Sequence, residues 1–438
     1  MLEKIFLKIP FHLKIAIIAW TARLIMAVVQ VFSVRFFISY LGVDSYAGFA
    51  IITSLGGWFA LVEFGLGPTL QNFISEWQIT NKDVNSIIIN ANVIVFTIII
   101  ITIIILSVLS NSIQAFLFGK AVTLKKQTFN IVWLAGFLYI LNYLCGISYR
   151  VYYAQKKGHL SNIFPAIGSI VSFVAIIIVD LFFKQKGDLF LSILLFIGPT
   201  TFMAMIAYYD VFLKEGRLSL NKFDKSIIIL ILSRSYKFAI FSTLAAIVLY
   251  TDYIVMSRVL SPIDIIKYNI ISKIYMFIFF IYSAILMALW PQLTKLLKKK
   301  QYEFVKKYIL KHLYLGFAII FLGTIVLLFF KNNIVIILSN AKIDTVHYST
   351  IVLFGLYYSL RVWSDTYAVL LQSMSKMKMF IIYVPIQGVI SFLCQYFCGI
   401  KFGLNGIIIG LIVSFITTSV WILPYSYKKI VKSDGSML

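Results

Sequence analysis

Arg361 and Asp365 stand four residues apart inside the otherwise apolar stretch YSTIVLFGLYYSLRVWSDTYAVLLQS (348–373). That spacing puts a guanidinium and a carboxylate on one helix face, with Gln372 almost in line below them. A charged side chain deep in a hydrocarbon span costs at least ~2.5–3.5 kcal/mol on insertion scales, so such residues face a cavity or a partner. The same situation recurs along the chain. Arg23 precedes Gln30 by seven residues, which share a side of a 3.6-residue helix. Arg35 lies nearer the end of that stretch, where it either snorkels to the interface or joins the buried set. Arg234 and Lys237 share a face, and a straight helix would bring Asp252 back to it after five turns. Lys273 follows Asn269 by four.

Summed, the deep cations are Arg23, Arg234, Lys237, Lys273 and Arg361, with Arg35 beside them, against the acids Glu63, Asp252 and Asp365. A net positive interior suits an anion. The planar fork of arginine donors matches phosphate oxygens, so the expected ligand carries phosphate or pyrophosphate. Asn142, Tyr149 and Tyr153 on one stretch, and Gln387 and Ser391 on another, either hydrogen-bond sugars or join helices. The stretch WFALVEFGLGPTLQNFISEW (58–77) sets Glu63 directly before Gly65, Gly67 and Pro68, three residues that weaken a helix and mark a hinge. Glu63 reads equally as half of an internal pair with an arginine or as a group coupled to an ion gradient. Glu76, at the end of the same stretch, is expected in water.

Several chemistries are absent. There is no GxxxxGK[ST] phosphate loop, no HExxH pair and no Ser/His/Asp arrangement. The three cysteines, Cys145, Cys394 and Cys398, fit no zinc spacing, and the four histidines are scattered. No metal or other cofactor is expected, and an enzyme is not indicated.

The elements that must position these residues follow from composition. The 438 residues are 61% hydrophobic and 13% charged, where a soluble protein carries about 25% charged residues. Apolar blocks such as 86–109 and 227–250 reach the ~20 residues that span hydrocarbon. The fold class is therefore all-α and integral to the membrane. Twelve spans are predicted: 14–40, 46–77, 85–109, 129–154, 160–183, 189–213, 227–258, 263–294, 308–330, 348–373, 377–400 and 403–427. The long second and eighth are expected to bend or to lie partly at the interface. The N-terminus resembles a signal peptide, but Arg23 interrupts its apolar run and no small-x-small cleavage site follows, so it is read as a retained first span.

The net charge of +23 belongs to short gaps between blocks, which points to topology rather than nucleic acid. With the N-terminus inside, and residues at span ends counted with the adjoining segment, the inner side holds 23 of the 39 Lys and Arg, the outer side 10 and the span interiors 6. Both termini are thus expected in the cytoplasm. The chain also looks duplicated. LGVDSYAGFAIITSL (41–55) resembles LSPIDIIKYNIISKI (260–274), an offset of 219; Pro165 and Pro385 are 220 apart, and Ser172-Phe173 and Ser391-Phe392 are 219 apart. Two six-helix bundles follow, residues 1–213 and 227–438, joined by a cytoplasmic linker over 214–226. Six spans per half make them parallel repeats, which place a substrate between halves that rock for alternating access.

The segments LGVDSYAGFAIITSLGGW and EFGLGPTLQNFISE, with LSPIDIIKYNIISK and LWPQLTKLLKK in the second half, resemble the O-antigen flippases of the Wzx type. These form the polysaccharide transporter branch of the multidrug/oligosaccharidyl-lipid/polysaccharide exporter superfamily. The resemblance covers essentially the whole chain. It implies a MATE-like, V-shaped pair of bundles around a central cationic cavity in the bacterial inner membrane. It also implies flipping of undecaprenyl-pyrophosphate-linked oligosaccharide between leaflets. By position it assigns Arg23, Arg234, Lys273 and Arg361 to the ligand, and Glu63, Asp252 and Asp365 to ion coupling. A polysaccharide polymerase and a chain-length regulator are the implied protein partners, alongside membrane lipids and no nucleic acid. Two other readings stand beside it. A membrane-embedded polymerase or glycosyltransferase needs large external loops, and the longest external gap here is 110–128. A drug/cation antiporter wants an acidic cavity, the reverse of this charge balance.

Overall fold

The computed structural model describes residues 11–118, 130–155, 157–183, 187–214, 223–343, 345–374 and 378–435, and among them there are helices and loops but no strand. The side chains of some helical positions, Gln372 among them, lie outside the described set. The first helices are α1 (Phe11–Leu41), α2 (Val43–Ser54), α3 (Leu66–Ile79), α4 (Val84–Leu117), α5 (Ile131–Ala154), α6 (Leu160–Phe182) and α7 (Leu189–Tyr208). They are followed by α8 (Lys225–Leu249), α9 (Asp252–Val259), α10 (Pro262–Lys298), α11 (Tyr302–Leu338), α12 (Tyr348–Ser373), α13 (Lys378–Thr417) and α14 (Ser419–Gly435).

Polar residues placed just before the apolar runs start these helices. The side chains of Asp83, Asn130 and Asp188 each accept a backbone N–H from the first turn of α4, α5 and α7. Asp224 does the same for α8 through Ser226, while its own N–H donates to Asn90 on α4.

Among the described residues, ten stretches are long and apolar enough to cross a membrane. One of them, Ile382–Val431, has 50 residues, and the backbone leaves the helix at Gly403 with φ 56° and ψ −135°. Dividing it there, and adding α12 with its Arg361 and Asp365, brings the set to the twelve spans expected. The second span is not the continuous segment 46–77. After α2, short helical pieces cover Gly56–Phe59 and Ala60–Glu63, and Phe64 and Gly65 then turn left-handed with φ 48° and 70°. Glycine adopts that geometry without strain and a phenylalanine does so rarely, so α3 begins as a separate helix. The eighth span is unbroken instead: α10 runs 37 residues, about 55 Å, longer than the ~30 Å hydrocarbon core.

The described residues pack as two compact units, one ending at Ala246 and one beginning at Ile247, so the division falls in the last turn of α8. Apolar burial alone does not hold helices together in lipid; close approach and hydrogen bonds do. In the first unit a Cβ on Gly168 of α6 would sit 2.8 Å from Thr200 Cα of α7. Phe37 of α1 stacks on Phe49 of α2 at 4.5 Å, and both meet Phe196 of α7 edge-on. In the second unit Tyr275 of α10 stacks on Phe354 and Tyr358 of α12 and donates its hydroxyl to Ile351 O at 2.8 Å. Gly316 of α11 leaves room for Tyr282 and Val362.

Candidate functional site

In the first unit the left-handed turn sets the position of Glu63. Its Oε1 accepts the Gly67 N–H at 2.8 Å, so the carboxylate caps the N-terminus of α3, where the helix dipole favours negative charge. A Cβ on Gly67 would overlap that oxygen. Pro68 follows in the first turn, where its missing N–H costs nothing. The positive charge acting on Glu63 is that of Arg150, on the last turn of α5, whose Cγ also borders Gly67. Arg150 lies 87 positions away in sequence, and no local spacing marks it.

Gly65 lies against the backbone of α8. A Cβ there would be 2.5 Å from Phe238 Cβ and 2.6 Å from Ser235 O. One turn earlier on α8, Arg234 meets the other end of α3. Its Nη1 and Nη2 each donate to one carboxylate oxygen of Glu76, both at 2.9 Å, and the guanidinium lies 4.5 Å from the Phe73 ring centroid. Glu76, expected in water, is therefore both exposed and paired. The arginine holds its carboxyl below the usual carboxylate range. By sign, the pair is in place above the ordinary carboxylate pKa and is lost as pH falls through the lowered one. Lys237 is exposed beside Tyr236.

Arg23 is exposed and donates through Nε to Asn162 Oδ1 of α6 at 3.3 Å; Asn162 in turn donates to the Tyr153 hydroxyl at 2.7 Å. Gln30 is exposed and Arg35 half-buried on the same helix. Asn142 joins α5 to α7 through Thr200 and Thr201 at 3.3 and 3.4 Å. Tyr149 packs against the first unit's core.

The second unit holds the remaining residues. Arg361 donates to Asp365 at a long 3.4 Å, and its guanidinium lies 4.6 Å from the Phe279 centroid and 5.8 Å from that of Tyr358. Its Nε is buried without a hydrogen-bond partner. Asp252 is not on the helix of Arg234: α8 ends at Leu249, and Asp252 opens α9 in the second unit, so the five-turn register fails. Its carboxylate accepts from the Tyr268 hydroxyl at 2.6 Å and from Tyr253 N at 2.9 Å. Lys273, half-buried, makes no hydrogen bond or ion pair among the described residues. Gln387 is buried with its Nε2 unpartnered, and the Gln372 side chain lies outside the described set. One buried cation escaped the sequence reading. Lys331 of α11 donates to Val346 O at 2.8 Å and Asn332 Oδ1 at 2.9 Å, over the Tyr348 ring. Its position at a span end made it read as a loop residue.

Chemically, the two units differ. In the first, Arg23, Arg234 and Glu63 each have a partner, and the Arg234 pair is exposed. In the second, Arg361 keeps an unused donor and Lys273 keeps all of its donors. These two cations are thus less engaged by protein partners than those of the first unit.

Comparison with known proteins places the chain among transporters. No family model matches it. It is 35% identical over 428 residues to a protein of Yersinia pseudotuberculosis named as an O-antigen export protein, covering 97% of this chain and 98% of the relative. It is likewise 35% identical to a protein of Salmonella typhi named as an O-antigen transporter, over 96% of this chain and 97% of the relative. Among solved structures, an inward-facing multidrug resistance transporter of the MATE family superposes with a TM-score of 0.75 at 14% identity, covering 93% of this chain and 96% of that one. The lipid II flippase MurJ in an inward closed conformation gives 0.68 at 13% identity, over 94% and 87%. The fold is thus MATE-like, and the chain's relatives are named as transporters rather than enzymes.

Proposed function

The chain belongs to the O-antigen transporter family, and from that membership we propose that it flips a lipid-linked oligosaccharide, the O-antigen repeat unit on undecaprenyl pyrophosphate, across the bacterial inner membrane. The observation that carries this reading is near-full-length identity to proteins named for O-antigen export. The charge chemistry supports it. In the second unit Lys273 keeps all of its donors and Arg361 a buried, unpartnered Nε, and a diphosphate that reached them would supply the acceptors they lack. A cationic drug would meet like charge at both residues, which disfavours the antiporter reading.

In the proposed cycle the termini are cytoplasmic, and the diphosphate group is held by a cationic cavity as access alternates. The turn at Glu63–Gly65 serves as the hinge of the second span. Gln387, buried with an unused amide donor, is the polar group proposed to meet a sugar hydroxyl when access opens. Among the acids, Glu63 is engaged as a helix cap and Asp365 by Arg361, whereas Asp252 bonds neutral donors alone. Asp252 is therefore the coupling carboxylate favoured here. A polymerase and a chain-length regulator would receive the product.

The test is genetic. In a strain carrying the matching polysaccharide cluster, Arg361→Ala and Lys273→Ala are each expected to abolish surface polysaccharide while the protein stays in the membrane at wild-type level. Arg361→Lys should restore part of it, because charge survives and the fork does not. Normal polysaccharide in both alanine variants sinks the cationic reading.

A further inference from the structure

We propose that Glu76 holds, in the unloaded protein, the place of an anionic diphosphate on Arg234 and yields it when that ligand arrives. The inference rests on the flippase reading above and adds to it a docking point that precedes the half-buried cations of the second unit.

The pair has the geometry of ligand recognition. Both guanidinium Nη atoms meet both carboxylate oxygens at 2.9 Å. Two oxygens of a diphosphate match the same fork, with more charge to offer. The pair is also accessible: the Arg234 side chain is 39% exposed and that of Glu76 51%. An ion pair this open is weak, so a dissolved anion competes against little. Exchange requires little movement. Glu76 is on the last turn of α3, and the start of that helix is fixed by the Glu63–Gly67 cap and by Gly65 against α8. A rotamer change of one exposed glutamate frees the arginine while the helices stay in place. Meanwhile the Phe73 ring, 4.5 Å from the guanidinium, keeps that cation oriented after its partner leaves. Lys237, exposed and three residues further along α8, adds a second positive charge on the same face. In the orientation proposed above this end of α3 and α8 is cytoplasmic, the side from which the substrate loads.

A stand-in carboxylate has a second effect. An arginine left open on this face would bind any phosphate compound in solution. With Glu76 in place, an incoming anion must displace a carboxylate, which favours a ligand of higher charge over a monovalent one by a few-fold.

The experiment is equilibrium binding of inorganic pyrophosphate to the full chain in detergent micelles, followed by calorimetry at neutral pH and low salt. Glu76→Gln removes the competing charge and should tighten binding about two- to fivefold, the range set by an exposed pair. Arg234→Gln should weaken it about tenfold or more, as expected for lost charge-assisted bonds. The double variant should match Arg234→Gln alone. Arg234→Lys should fall between, with a thermal melt close to wild type showing that the fold is intact. Unchanged or weaker binding in Glu76→Gln overturns the proposal, as does wild-type binding in Arg234→Gln or no binding in any variant. The flippase reading fails separately. Should the chain bind pyrophosphate in this pattern yet leave a flippase-deficient strain without surface polysaccharide, the site stands and the flippase reading falls.

Discussion

A half-buried carboxylate beside a helix break has two candidate duties, and Glu63 shows how a pair of substitutions separates them. Its Oε1 accepts the Gly67 N–H, and a glutamine oxygen accepts the same bond. Glu63→Gln should therefore leave the melting temperature nearly unchanged, whereas Glu63→Ala, which leaves the α3 N-terminus uncapped, should cost about 1 kcal/mol. If charge at Glu63 is needed for transport, Glu63→Gln loses surface polysaccharide while folding normally. Retained polysaccharide in a stable Glu63→Gln variant assigns the residue to structure alone. The sequence placed Glu63 correctly before a bend but could not name its cation. Arg150 reaches it only because α5 packs against the turn, and a contact across 87 residues leaves no trace in local spacing. The pairing of Glu76 with Arg234 was hidden for the same reason. Arg361 and Asp365 were legible because both belong to one helix.

At the level of elements, the turn between α2 and α3 depends on glycine twice over. Gly65 holds φ 70°, and its missing side chain lets α8 approach within contact of its backbone. Gly65→Ala meets both obstacles together, a left-handed alanine and a clash with Phe238 and Ser235. It should lower the melting temperature markedly, by about 2–4 kcal/mol of stability, where Gly198→Ala on α7, with only ordinary contacts from Leu194, should be nearly neutral. Thermal melts of the two variants side by side check this. The spans themselves were legible because length and apolarity set them. The end of α8 was not. Eighteen residues of helical arithmetic carried Arg234's face onto Asp252, but the chain leaves the helix after Leu249, and a register does not survive a break.

For the whole molecule, composition settled the class, and the offset near 219 in the sequence matches prolines that the structure places inside α6 and α13. What composition could not give is the division of labour among the buried charges, which depends on packing. The coupling reading is tested on the intact protein. In vesicles carrying the purified chain, an imposed proton or sodium gradient should accelerate flipping of a lipid-linked oligosaccharide, and Asp252→Asn should remove that acceleration while leaving slow, gradient-independent flipping. Indifference of the wild type to both gradients rejects it. The left-handed turn at Phe64 and Gly65 also bears on how the chain is made. Residues 43–79 emerge from the ribosome as one largely apolar segment, longer than a single crossing requires. Read as one rod, it would have to drag Gln71, Asn72 and Glu76 into hydrocarbon or push its other end out. Divided at the turn, it gives the insertion machinery two shorter pieces, one apolar and one that carries its polar residues on a separate helix. Straightening the turn would therefore be felt first at biogenesis, as a misinserted chain, before any fault in transport could be measured.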